Sequence, residues 1–323
     1  MSFVRMALLC AGLAFSAPGQ AQTGGQSGEA PIHIVSPYPA GGAGDASARM
    51  IAEALRQRLG RPVIVENKPG AAGRIGIQAV KEARADGSVL LFTPIAPMSV
   101  FPHVYDSLGY DPERDFAPVS QVATFDLALA VGADVPARDL PELLAWLKAR
   151  PERAAYGTPA AGSLPHFLAM LVERQSGLAL RHVAYRGNAQ AITDLMGGHL
   201  ALFFTSAQDL VEPHRAGRLR VIATSGGERS AALPDVPTFA ESGLGIRADG
   251  WYGVYAPART PPAVVAQLSE AIAAAVRGPD FTARARALGL RPTGTSAADL
   301  ARIQRSDSEL WGPVIRASGF KAE

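Results

Sequence analysis

From residue 31 onward the chain alternates between two hydrophobic periods. Ile32–Val35 is a short β-branched run. A glycine-rich turn follows, and Asp45–Leu59 carries apolar residues at helical spacing up to Gly60. Val63–Val65 and Val89–Phe92 predict two further strands, with a helix over Ile75–Ala85 between them. The alternation resumes with strands at Leu127–Val131, Ala155–Gly157, His182–Ala184, Leu200–Phe204 and Leu219–Ala223. Helices are predicted at Leu140–Ala149, Leu164–Ser176, Ala189–Met196, Asp209–Ala216, Pro262–Val276 and Ala297–Ala317. Strand–helix alternation predicts an α/β fold, a mostly parallel sheet with helices on both faces.

About ten strands are too many for one ordinary open sheet, so two are expected. Tyr110–Phe125 and Leu233–Gly250 break the periodicity and read as connectors, and the crossings between lobes are placed near them. The expected division is residues 31–124 plus 251–323 for lobe 1 and 125–250 for lobe 2. A chain that crosses out and returns leaves a cleft between its lobes, a favoured place for ligands.

The first residues follow a different rule. Met1–Arg5 carries one positive charge, Met6–Ala17 is apolar, and Gly19-Gln20-Ala21 is a small-x-small site. This predicts a signal peptide over residues 1–21 cut after Ala21, a polar lead-in over 22–30, and a periplasmic protein. The alternative, a membrane anchor, needs roughly 20 apolar residues. The single cysteine, Cys10, lies inside this segment. Lipid attachment there is opposed by Leu8-Leu9 before it, where small residues would be expected. Without the leader the chain has no disulfide, no thiol nucleophile and no sulfur ligand.

Composition changes the picture in two places. Hydrophobic residues make 48% and charged residues 19%, which suits a globular chain with a sizeable core. The net charge is +2 with no long Lys/Arg block, so the electrostatic footprint for nucleic acid is missing.

Ligands of open α/β sheets bind beyond the carboxyl ends of strands, where helices begin. Three turns there share one design. The first is Ser36-Pro37-Tyr38-Pro39-Ala40-Gly41-Gly42-Ala43-Gly44-Asp45 and the second Asn67-Lys68-Pro69-Gly70-Ala71-Ala72-Gly73. The third, Gly157-Thr158-Pro159-Ala160-Ala161-Gly162-Ser163, falls in the other lobe. Small residues let a backbone approach a ligand, and free N–H groups at a helix start favour an anion. Each turn singly is an ordinary strand-to-helix connection; the repetition in both lobes points to an anion cleft.

The candidate ligand residues are Tyr38, Ala40, Gly41, Gly42, Ala43, Asp45, Ala71, Ala72, Gly73, Thr93, Thr158, Gly162, Ser163, His166, Tyr185 and Thr205. Three charged or ring residues keep two readings each. Asp45 is a ligand group or the partner of Arg49 at i+4. His166 is an anion donor or a structural histidine. Arg186, in Tyr185-Arg186-Gly187, is a carboxylate clamp or a solvated rim residue.

Enzyme signatures fail. Gly42-Ala43-Gly44 does not continue as G-x-G-x-x-G, because Ser47 stands at the last position. No G-x-S-x-G elbow occurs, and His33, His103, His166, His182, His199 and His214 lack metal-ligand spacing. No catalytic residue, cofactor or metal site is expected. An exported α/β hydrolase or transferase is the rival reading.

These loops resemble a known family. Tyr38-Pro39-Ala40-Gly41-Gly42 with Asp45 and Arg49, and Val65-Glu66-Asn67-Lys68-Pro69-Gly70-Ala71-Ala72-Gly73 with Ile75-Gly76, look like the tripartite tricarboxylate transporter receptors, the Bug/TctC family. The likeness continues through Asp86-Gly87, Tyr110-Asp111-Pro112, Asp115-Phe116-Ala117-Pro118-Val119 and Tyr156-Gly157-Thr158. It ends with Tyr185-Arg186-Gly187, Asp194–Gly198, Leu233–Thr238 with Glu241, and Gly250-Trp251-Tyr252-Gly253. The resemblance implies a type II periplasmic binding-protein fold that closes by a hinge. It implies a monomeric extracytoplasmic receptor for a small organic acid, feeding the membrane components of a tripartite tricarboxylate transporter or, in some members, a sensor. Family ligands include dicarboxylates, citrate-like acids, acidic amino acids and aromatic acids, held largely by backbone amides and ordered water at the first two loops. Two departures bear on the ligand. Thr205 stands where many relatives have an acid that could meet an ammonium, which argues against an amino acid. Phe101 replaces a frequent asparagine and either lines the pocket or joins the core.

Overall fold

The computed structural model describes residues 30–185 and 187–322. The leader with its expected cut, and Arg186, lie outside the described residues. The chain begins with β1 (Ile32–Ser36), α1 (Ala43–Leu59), β2 (Val63–Asn67), α2 (Arg74–Lys81) and β3 (Val89–Pro94). A wide turn at Ala96–Val100 leads to the short α3 (Phe101–Val104) and then β4 (Phe116–Phe125). The middle of the chain forms β5 (Leu127–Gly132), α4 (Leu140–Ala149), β6 (Ala155–Thr158), α5 (Leu164–Ser176), β7 (Arg181–Ala184) and α6 (Asn188–Met196). It continues through β8 (Leu202–Ser206), α7 (Val211–Arg215) and β9 (Leu219–Thr224). The return comprises β10 (Gly250–Pro257), α8 (Pro262–Val276), α9 (Pro279–Ala287), the two-residue β11 (Arg291–Pro292) and α10 (Ala297–Ser318).

Two sheets result, ordered β11-β4-β10-β3-β1-β2 and β7-β6-β8-β5-β9. β1–β4 share one direction in the first, and β6–β9 share one direction in the second. The parallel strands are joined by helices that pack on the faces, so β1 is buried at almost every position and β5 at all of them. β5 and β10 run the opposite way for one topological reason. β5 follows β4 after one residue, and the connector before β10 returns to the end of β9, where the Ala248 N–H donates to the Ser225 carbonyl; each therefore enters at the end where the parallel strands finish and must run back from it.

The stretch Tyr110–Phe125 is not simply a connector. Its last ten residues are β4, packed against α8 and α10. Burial on both faces erases the period-2 pattern that marks a half-exposed strand. Pro118 is accommodated beside a bulge, where the pairing with β10 shifts between Val254 and Tyr255. β10 itself (GWYGVYAP) was hidden for the same reason, with two glycines and a proline in a fully enclosed strand. The helix expected over Asp209–Ala216 starts instead as a 3₁₀ turn at Ala207–Leu210 before α7.

Polar and apolar contacts hold the two crossings together. One guanidinium nitrogen of Arg291 donates to Asp126, between β4 and β5, at 2.6 Å, and to Asp249, just before β10, at 3.4 Å. Asp249 lies close to Asp126 inside the protein, and burial with that second charge pushes its carboxyl up to about 7. At the far end, α10 packs on both β4 and α5, with Trp311 fully buried. Past Gly319 the tail places Phe320 against Gly162, His166 and Phe167, while the Ala322 N–H donates to the Val104 carbonyl at 3.1 Å.

Gly250 opens β10 opposite Phe125, and a Cβ there would come within 2.1 Å of the Phe125 ring. Gly250→Ala is therefore expected to cost about 1–3 kcal/mol by overpacking. Urea unfolding checks this, and adding Phe125→Leu should recover part of the loss.

Candidate ligand-binding site

α1, α2, α5 and α6 all begin beyond the carboxyl ends of parallel strands, and none has a side-chain hydrogen bond capping its first turn. α4 begins at the opposite edge, after the reversed strand β5, and there Asp139 caps the Glu142 N–H at 2.8 Å. A helix start leaves its first N–H groups without intrahelical partners. Uncapped, and at the positive end of the dipole, they are donors for an anion.

The first two loops form one unit. Gly42, the residue before α1, is extended (φ −86°, ψ 173°), exposed, and its Cβ direction is open space. Gly41 sits at φ 100° and Gly73 at φ 94°, conformations that favour glycine. Ala71 and Ala72 are also left-handed, at φ 46° and 56°. For a residue with a Cβ this costs roughly 1–2 kcal/mol each, strain of the kind that gathers at ligand-gripping loops. Tyr38 spans the two loops: its hydroxyl donates to the Ala72 carbonyl at 3.3 Å and its ring covers Gly73. Ala40, Ala71 and Ala72 are exposed and Ala43 half-buried.

Asp45 is the knot of this unit. Its carboxylate accepts from the Gly41 N–H at 3.1 Å, from Arg49 at 3.0 and 3.1 Å, and from Asn67 Nδ2 at 3.0 Å. Asn67 also donates to the Tyr38 carbonyl at 3.1 Å. These donors hold Asp45 below its ordinary pKa despite burial, which acts the other way and is the largest single influence. Of the two readings of Asp45, the pairing with Arg49 is the one formed, and the carboxylate braces the loop that it was expected to help bind with.

The third loop is braced from behind. Gly162 has φ 70° and its N–H donates to His166 Nδ1 at 3.0 Å. His166 is buried, stacked on His182 at 3.9 Å, and pushed down to about 4, first by burial and then by His182. It is neutral and accepts through Nδ1, which is the structural one of its two readings. Thr158 is fully buried, donating to the Ala160 carbonyl at 3.0 Å with His182 Nε2 at 2.7 Å. Ser163 Oγ donates to the same carbonyl at 2.7 Å, which leaves the start of α5 uncapped. The Tyr185 hydroxyl donates to Asp194 at 2.9 Å. Thr93, next to last in β3, is buried opposite Gly253. Phe101 takes the core reading, edge-on to Tyr105 with ring centroids 5.2 Å apart.

Residues that the sequence did not single out complete the site. Tyr252, on β10, stacks on Phe92 at 5.5 Å and lies over Gly44, where a Cβ would meet its ring at 3.0 Å. Burial and the charge of Asp209 push its phenol up to about 12. Asp209, half-buried after β8, bonds with Asn188 and Thr205. An acid thus stands beside Thr205 after all. The only cue in the sequence was Asp209 four positions past Thr205, and nothing there aims it at the cleft.

Residues 47–320 match the family described as tripartite tricarboxylate transporter family receptor. The chain belongs to this family. It is similar to the protein BugT of Bordetella pertussis, 33% identical over 293 residues that cover 90% of each chain. Among solved structures, a TctC solute-binding protein from Polaromonas shares 28% identity at a TM-score of 0.80, over 89% of this chain and 98% of that one. An R. palustris protein solved with adipate shares 29% at 0.77, over 90% and 98%. MatC from Rhodopseudomonas palustris, solved with malate, shares 27% at 0.72, over 88% and 98%. The type II binding-protein fold expected of this receptor family is the one seen. A separate cavity of about 700 Å³ lies behind the crossings, lined by Trp251, Arg247, Asp249 and Arg291, and shares none of the glycine loops.

Two outcomes follow. Asn67→Ala should cost about 1–2 kcal/mol and speed hydrogen exchange at the amides of residues 40–46, read by mass spectrometry. For His166, the unfolded chain takes up a proton near 6.5 and the folded chain only near 4. Between these values protonation favours unfolding, so this contribution is complete above 6.5 and is lost as pH falls toward 4. The melting-point advantage of wild type over His166→Gln should shrink between about pH 7.5 and about pH 5.

Proposed function

We propose that this receptor captures a small organic acid between its lobes, with the acid's carboxylate on the uncapped starts of α1 and α2. Residues 31–124 with 251–323 form one lobe and 125–250 the other, and hinge bending at the crossings closes them. The observation that carries this reading is the set of four helix starts with no side-chain caps, on loops that hold left-handed glycines and alanines. Relatives solved with adipate and malate support the ligand class. The loops bind the acid without chemistry on it. The protein works as a monomer in the periplasm after loss of its leader, and delivers the acid to the membrane components of a tripartite tricarboxylate transporter.

Among the expected ligand residues, Ala40, Gly41, Gly42, Ala43, Ala71, Ala72 and Gly73 act through backbone. Tyr38, Asp45, Thr158, Gly162, Ser163 and His166 hold those loops in shape. Thr93, Tyr185 and Thr205 border the cleft.

A ligand that binds only the folded state raises its melting point. Protein unfolded and refolded to strip bound acid should show such a rise with at least one member of a broad carboxylate panel; silence across the panel sinks the reading. Gly42→Val is the sharpest variant, since its backbone is extended and its Cβ meets nothing. It should weaken acid binding by about tenfold or more, while the unliganded melting point stays within a few degrees. An equal collapse of both would make the loop structural only.

A further inference from the structure

The opposite wall of the cleft carries a charge with no cation to meet it among the described residues. Asp209 Oδ2 accepts from Asn188 Nδ2 at 2.7 Å and from Thr205 Oγ1 at 3.4 Å, and the Thr205 hydroxyl is shared with Asn188 Oδ1 at 2.9 Å. Both bonds use one oxygen; no described residue bonds Oδ1. The group is placed by three elements at once: the end of β8 supplies Thr205, the first residue of α6 supplies Asn188, and the 3₁₀ turn supplies Asp209. These are carboxyl ends of parallel strands, the edge on which ligands of such sheets sit. The next turn of wall is already shared between the sheets, because Gln208 packs against Gly289, with 3.0 Å between its Cβ and a Cβ built there.

We propose that Asp209 selects a ligand carrying a cationic nitrogen as well as its carboxylate, an amino acid and not a plain diacid. This rests on the carboxylate reading above. The cleft then has two electrical poles. The first turn of α1 is positive, and Tyr252 lies over it at Gly44. Asp209 is negative, and its field reaches Tyr252. A zwitterion laid between the poles satisfies both. A diacid would bring a second carboxylate toward Asp209, where partial burial weakens the screening of like charges. Burial already raises the Asp209 carboxyl, and an ammonium beside it would favour its charged form. Thr205 removes an acid from the strand end, and Asp209 restores one a turn later.

The test uses matched pairs on the full mature protein, stripped by refolding: glutamate against glutarate, aspartate against succinate, and 2-aminoadipate against adipate, by calorimetry. In at least one pair the amino acid should bind about tenfold or more tighter. Asp209→Asn, which keeps the side-chain shape, should bring that pair to within about threefold. Binding by pairs without discrimination overturns this inference alone, as does a ratio that Asp209→Asn leaves intact. If neither member of any pair binds, the carboxylate reading falls and takes this inference with it. Should Asp209→Asn not fold, Asp209→Ser replaces it, and the wild-type ratios decide in any case.

Discussion

Hydrogen bonds left unmade at four helix starts set the terms for the rest of this protein. A backbone N–H without a partner is costly when buried, so the starts of α1, α2, α5 and α6 must remain within reach of water or a ligand. That requirement explains the small residues before each helix, the left-handed glycines and alanines, and the open space in front of Gly42. It also explains where the side chains went. Asp45, Asn67, Tyr38, His166 and Ser163 each hydrogen-bond a loop rather than a helix start. The polar side chains are spent on shaping the loops and cap none of these helix starts, although the first N–H of α2, at Arg74, is taken by the Ala71 carbonyl.

Free donors are useful only if they converge, and strand direction makes them converge. In each sheet the parallel strands finish at the edge that faces the other sheet, because β5 and β10 enter there and run back. The crossings that impose this geometry are short and are tied to each other through Arg291, Asp126 and Asp249. Phe125 and Gly250 pack face to face at the same place. The same few residues thus tie the two sheets together at the crossings.

The electrostatics of the cleft are uneven. The loops of the first sheet offer helix dipoles and backbone donors, and those of the second a half-buried carboxylate held by Asn188 and Thr205. Tyr252 stands between them, stacked on Phe92 and tilted against Phe125, with its phenol kept neutral across the physiological range. The neutral pair His166 and His182 lies behind the third loop and adds no charge to this field at neutral pH.

What could be read along the chain was local. The α/β alternation, the three glycine-rich turns, the Asp45–Arg49 spacing and the family likeness are each visible within short windows, because period, turn chemistry and i,i+4 pairing are short-range. The partly exposed elements kept their pattern; β4 and β10 lost theirs, since a strand buried on both faces has no alternation to show. Roles that depend on distant partners were settled only by the tertiary structure. His166 became an acceptor because Gly162, His182 and Phe320 surround it, and Phe101 became core because Tyr105 lies against it. The charge of Asp209 reaches Tyr252 only because β8 and β10 belong to different sheets brought together by the crossings. Sequence determined which loops could grip an anion. Folding decided what stands across from them, because burial and long-range approach, not residue type, set the charge and direction of each group.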